Sequence, residues 1–146
     1  MTRGMFVTVL GRMANAPTSG LTAEFDDVEA NAYYTGFVAW AAENEIVRGV
    51  SESSFAPDAP VTREQVAVMI NQYLIVSGTQ IPQSEQGAAL KDADKISPWA
   101  ADAVEFMMRA GLMHGRPDGS FDPQAVVTRG EVAVIFQTLM EKTQSA

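Results

Sequence analysis

The chain has 146 residues, 47% of them apolar, and a mean hydropathy close to zero. That suits one globular domain with a core, and no run approaches the ~20 apolar residues that span a bilayer. With no cysteine and one histidine, it excludes disulfide scaffolds, thiol catalysis and cysteine metal sites, and the net charge of −8 argues against nucleic acid, whose phosphates want a basic face.

The elements follow from apolar spacing. Phe6, Val9, Leu10 and Met13 recur at helical intervals, and so do Val66, Met69, Ile70, Tyr73 and Leu74, then Val132, Ile135, Phe136, Leu139 and Met140. Two further helices carry Tyr33, Phe37, Trp40 and Ala41, and Trp99, Ala103, Phe106 and Ala110. Gly49 and Gly115 read as C-terminal stops of those two. Arg116 to Ser120, "RPDGS", is a tight-turn sequence, and His114 beside Gly115 reads as a solvated loop residue. No stretch asks for a long strand. The expectation is an all-α chain of five helices, paired as helix–loop–helix units.

An internal repeat organises these elements. "EIVRGVSESSFAPDAPVTREQVAVMI" faces "GLMHGRPDGSFDPQAVVTRGEVAVIF" without a gap, setting Gly49 on Gly115, Phe55 on Phe121, Pro57 on Pro123 and Arg63 on Arg129. Upstream, "FDDV" at Phe25 faces "LKDA" at Leu90. The opening "MTRGMFVTVLGRM" matches only the second half of the unit. The expected organisation of the single domain 1–146 is the second half of repeat 1 at 1–14, repeat 2 at 25–75 and repeat 3 at 90–142. Polar linkers at 15–24 and 76–89 separate them.

Each second half opens on Thr-Arg. Thr2, Thr62 and Thr128 stand where a helix begins, and a hydroxyl there accepts from an orphan backbone N–H. Thr128 with Glu131, and Thr62 with Gln65, fit a capping box, whereas Thr2 has Met5 at that place. Arg3, Arg63 and Arg129 then fall in the first helical turn, where the dipole disfavours a cation. Capping does not need them. Their partner is either internal, with Asp27 and Asp92 at matching places in the repeats, or an anionic ligand held by a guanidinium fork.

The ordered set Phe-x-Asp-Val, aromatic-led helix, Gly, Phe-x-Pro and Thr-Arg-x-Glu resembles the S-layer homology repeat. It is carried by "FDDV", "GVSESSFAPDAPVTREQ" and "LKDADKISPWAADAVEFMMRAGLMHGRPDGSFDPQAVVTRGE". The resemblance implies helix–loop–helix repeats in a pseudo-threefold spindle, here with an incomplete first repeat. It implies a non-catalytic module that anchors surface proteins to the cell wall through an anionic, usually pyruvylated, secondary cell wall polysaccharide bound in grooves between repeats. The family's motif arginine is a ligand contact, which here gives Arg3, Arg63 and Arg129, with Glu131 from the same motif. Its early aspartates and loop glycines help form the groove, which gives Asp27, Asp92, Gly49 and Gly115. The aromatic at the helix start, a sugar platform or a core residue, is Trp99 in the last repeat and Tyr33 or Tyr34 in the middle one. No metal, cofactor or catalytic residue is implied. The location implied is the cell surface, although residues 5–10 are too short for an export signal.

Departures from the motif suggest unequal sites. Gln65 and Met5 replace its Glu, and Leu90 and Ala93 replace its Phe and Val. The half repeat suggests a piece of a larger surface protein, or self-association that completes repeat 1. A scaffold that kept the fold and serves as a protein–protein or surface-assembly module is the alternative. A hydrolase using pairs among Asp26, Asp27, Asp92 and Asp94, and calcium binding by "KDADK" or "RPDGSFDP", lack the carboxylate placement each needs. On the ligand reading, Arg63→Ala weakens polymer binding and leaves the fold intact.

Overall fold

A computed structural model describes residues 1–84 and 89–144, so part of the linker at 76–89 lies outside the described residues. The five expected helices are present: α1 (Arg3–Met13), α2 (Thr35–Glu43), α3 (Arg63–Ser77), α4 (Ala101–Arg109) and α5 (Arg129–Gln144), with one 3₁₀ turn at Ala93–Lys95. Among the described residues no helix is long and apolar enough to cross a membrane. Among the described residues β-pairing takes the form of isolated bridges, Thr2 with Pro60 and Thr62 with Val126.

Helix starts follow the sequence. The N–H groups of Met5, Gln65 and Glu131 donate to Thr2, Thr62 and Thr128 Oγ1 at 3.1, 3.3 and 3.1 Å. Met5 also completes a reciprocal box, because its sulfur accepts from the Thr2 N–H at 3.5 Å. That contact is weak, since a thioether is a poor acceptor.

Helix ends differ from expectation. Gly49 and Gly115 stop nothing: α2 closes at Asn44 and α4 at Ala110. Each is followed by a left-handed residue, Glu45 at φ 59° and Gly111 at φ 70°. The Glu45 and Ile46 N–H groups reach the carbonyls of Ala42 and Ala41, and those of Gly111 and Leu112 reach Met108 and Met107. Asn15 after α1 and Gly78 after α3 repeat the pattern. This is the Schellman closure, and it needs one residue at positive φ. α3 also runs through Val76 and Ser77, the first two residues of the expected linker.

The chain divides into two compact units, Met1–Val61 and Thr62–Ala146. The boundary falls inside the second sequence repeat. In the first unit α1 packs on α2, and in the second α3 packs on α4. A helix therefore pairs with the helix of the following repeat, where the helix–loop–helix reading expected pairing within one. The first unit buries Phe6, Val7, Leu10, Val38, Ala41 and Phe55, and the second Val66, Ile70, Val104, Met107, Phe121 and Leu139. In α4 the inward face is Ala103, Val104 and Met107, with Phe106 only half-buried.

Candidate functional site

The loop before Phe-x-Pro is built around a carboxylate. Asp27 Oδ1 accepts the Phe55 N–H at 2.9 Å, and Oδ2 accepts the Ala56 N–H and the Ser54 hydroxyl at 2.7 Å each. In the second unit Asp92 accepts the Phe121 and Asp122 N–H groups at 2.8 Å each. Two successive N–H groups can converge on one carboxylate because the middle residue of each Phe-x-Pro is left-handed, Ala56 at φ 58° and Asp122 at φ 61°. Burial by itself raises both aspartate pKa values. The backbone donors outweigh it and hold Asp27 and Asp92 below the usual carboxylate range.

So clamped, the loop turns its carbonyls toward an arginine. Arg3 is 4% exposed, and its Nε donates to the Phe55 carbonyl at 2.9 Å and its Nη2 to that of Arg48 at 3.1 Å. Arg63, 5% exposed, donates from Nε to the Phe121 carbonyl and from Nη2 to that of His114, both at 2.8 Å. Each guanidinium carbon lies 4.6 Å over the ring of the same phenylalanine. Arg63 Nη1 also pairs with Glu131 Oε2 at 2.8 Å. The first-turn N–H groups are taken in the same way: Arg3 and Gly4 donate to Ala59 and Pro57, and Arg63 and Glu64 to Ala125 and Pro123. The electropositive helix start and its cation thus face one ring of carbonyl oxygens. This is why a cation at the wrong end of the dipole is tolerated.

Two expectations change. The internal partner of Arg3 and Arg63 is chiefly backbone carbonyl. The carboxylate that pairs with Arg63 is Glu131, while Asp27 spends its oxygens on two N–H groups and the Ser54 hydroxyl, and Asp92 on two N–H groups. Asp27 acts on Arg3 through its charge, raising a pKa that burial lowers more strongly. Arg63 is also buried and fully hydrogen-bonded within its unit, which argues against an Arg63→Ala change that leaves the fold intact.

The remaining candidates separate by exposure. Arg129 is exposed, and the ion pairs found among the described residues do not include its guanidinium. Tyr33 and Trp99 are 58% and 60% exposed at matching positions just before α2 and α4, whereas Tyr34 is buried. Gly49 sits in a crowded bend, where a Cβ would lie 2.5 Å from the Ser54 carbonyl and 2.7 Å from the Phe25 ring. Gly115 is freer, with the Ser120 carbonyl 3.3 Å from the same point. "RPDGS" closes as a turn, with the Arg116 N–H on the Ser120 carbonyl at 2.7 Å and Asp118 holding the Ser120 N–H at 2.9 Å.

Sequence reasoning missed Glu64. It is buried and accepts the Ser97 N–H and hydroxyl at 2.9 and 2.7 Å. The signal was available in the repeat register. Gly4 stands where Glu64 does, and Tyr34 where Ala100 does, so a small residue after the arginine goes with a large one before the next helix. The carbonyls of Arg48 and His114 carried no signal, since any residue supplies one.

Residues 24–67 and 89–133 match the S-layer homology domain. The chain is similar to an endoglucanase of Bacillus sp. (strain KSM-635), 32% identical over 99% of this chain and 15% of that protein. It is 29% identical to the surface-layer 125 kDa protein of Lysinibacillus sphaericus, over 83% of this chain and 10% of that protein. It is 24% identical to a cellulosome-anchoring protein of Acetivibrio thermocellus, over 94% of this chain and 30% of that protein. The match covers more than half of the residues and falls on the clamp, the Phe-x-Pro loop and Thr-Arg, so the chain belongs to the S-layer homology domain family.

Proposed function

We propose that this chain is a non-catalytic anchoring module that holds a larger protein at the bacterial surface by binding an acidic secondary cell wall polysaccharide. Domains of this family anchor surface proteins to the cell wall. The relatives support a binding role, because an endoglucanase and a cellulosome-anchoring protein share this segment over nearly its whole length while it covers a small part of each.

The observation that carries the reading is the exposure of Tyr33 and Trp99 at one repeat position, on a chain whose large aromatics Phe6, Phe55 and Phe121 are fully buried. An exposed flat ring at a repeated position is a stacking platform for a sugar face. Arg3 and Arg63 hold the adjoining loops together with Asp27, Asp92, Gly49 and Gly115, and act on the ligand by positioning. Of the motif arginines, Arg129 is the one whose guanidinium is open to a carboxylate such as a pyruvate ketal.

Retention on purified wall polysaccharide tests this. Trp99→Ala and Arg129→Ala should each weaken binding by about tenfold, or ~1.4 kcal/mol, with an unchanged melting temperature. Removing the polymer's acidic groups should abolish the Arg129 effect and spare that of Trp99. If the wild-type chain is not retained with or without those groups, the reading fails. The second reading, a protein–protein module, then takes its place, favoured by an uncovered face of α5.

A further inference from the structure

α3 closes at Gly78, whose φ of 69° lets the Thr79 N–H return to the Leu74 carbonyl at 3.0 Å. The chain then passes beside α4. Ile81 is buried there, and the Ser84 N–H donates to the Arg109 carbonyl at 2.8 Å. This strap does not close onto the two helices. Between it and them lies a hollow of about 460 Å³. It sits at the C-terminal end of α3, where roughly 12 Å of helix rise separates Asn71 from the buried Arg63.

The floor of the hollow is apolar, with Leu74 and Ile81 buried and Phe106 half-buried. Its polar groups are the side chains of Asn71, Thr79, Gln80 and Gln83, and none of its lining residues is ionisable. The side-chain hydrogen bonds found among the described residues include Thr79, with Ser77 at 2.8 Å, and none of the three amides. An amide offers a donor and an acceptor side by side, which matches neighbouring hydroxyls on a sugar ring. An aromatic ring covers the apolar face of the same sugar. A smaller hollow of about 230 Å³ adjoins the first and shares Gln83 and Phe106 with it. Asp102 and Glu105 line that part, and Glu105 holds Arg109 at 2.8 Å. Those carboxylates accept from hydroxyls and repel an acid sugar.

We propose that the hollow between the end of α3, the strap and α4 binds an uncharged saccharide. Asn71, Gln80 and Gln83 bond its ring hydroxyls, and Phe106 covers its apolar face. The volume falls within the 300–1,000 Å³ of small-molecule sites. The site uses no residue of the arginine clamp and neither Trp99 nor Arg129, so it stands whether or not the acidic-polymer reading does.

The test is titration of the full chain with cellobiose, maltose and diacetylchitobiose, followed by heteronuclear NMR on the side-chain amide signals of Asn71, Gln80 and Gln83. At least one sugar should move all three saturably, with half-saturation at about 1 mM. Replacing both exposed glutamines, Gln80→Ala with Gln83→Ala, should raise that concentration about tenfold, read on Asn71, with an unchanged melting temperature. The uronic acid counterpart of the sugar that binds should bind more weakly. Trp99→Ala and Arg129→Ala should leave the shifts as they are, which keeps this site apart from the acidic-polymer reading. Signals that ignore all three sugars, or that move as readily in the double variant, overturn the proposal. So does a response to trileucine in place of sugar, which would make the hollow a peptide site.

Discussion

At the scale of single residues, the arginines and aspartates of the repeat act as one device. A carboxylate fixes two N–H groups, the turned backbone presents its carbonyls, and a buried guanidinium closes on them and on the phenylalanine ring. Removing Arg63 leaves the Phe121 and His114 carbonyls and the Glu131 carboxylate short of a donor. Arg63→Ala should therefore destabilise by about 3 kcal/mol, read by urea unfolding. Arg63→Lys should recover little, because an ammonium cannot reproduce the fork. Arg129→Ala should shift stability by less than ~0.5 kcal/mol, since its side chain is exposed. Asp92 gives a pH signature. Its native pKa lies below the ordinary ~3.9, so its contribution is complete above that value and drains away as the pH falls through the depressed native one. Asp92→Asn should cost about 2 kcal/mol near neutrality and flatten the acid limb of stability against pH. A variant as acid-sensitive as the wild type would contradict the clamp.

At the scale of elements, helix starts are local and helix ends are not where a glycine alone suggests. Glu45 occupies a left-handed position that Gly111 occupies after α4. Glu45→Gly should raise stability by roughly 1 kcal/mol by removing the Cβ penalty, seen as a higher melting temperature. Gly49→Ala should lower it by about 2 kcal/mol or more, because the new methyl meets backbone oxygens that cannot swing aside. Gly115→Ala should cost less. The helices, their threonine caps and the repeat register were legible in the sequence, since apolar spacing and capping act over one or two turns. The helix pairing was not. It rests on contacts between distant stretches, Gly4 against Tyr34 and Glu64 holding Ser97, which become visible only when those stretches are laid side by side.

At the scale of the whole molecule, charge and composition bear on association. A chain of net charge −8 approaching an acidic polymer is repelled at long range, and salt screens that repulsion beyond ~8–10 Å at physiological strength. The association rate for an acidic wall polymer should therefore rise with added salt, measured by surface-immobilised polymer kinetics. A rate that falls would mean a locally basic approach path dominates. The sequence by itself determined that this is an all-α repeat chain of the S-layer homology family, because periodicity, caps and motif order are carried by side chains near one another in the chain. Only the tertiary structure decided which arginines serve the fold and which one faces outward. The acceptors of Arg3 and Arg63 are backbone carbonyls 45 to 58 residues away, and a carbonyl has no letter in the sequence.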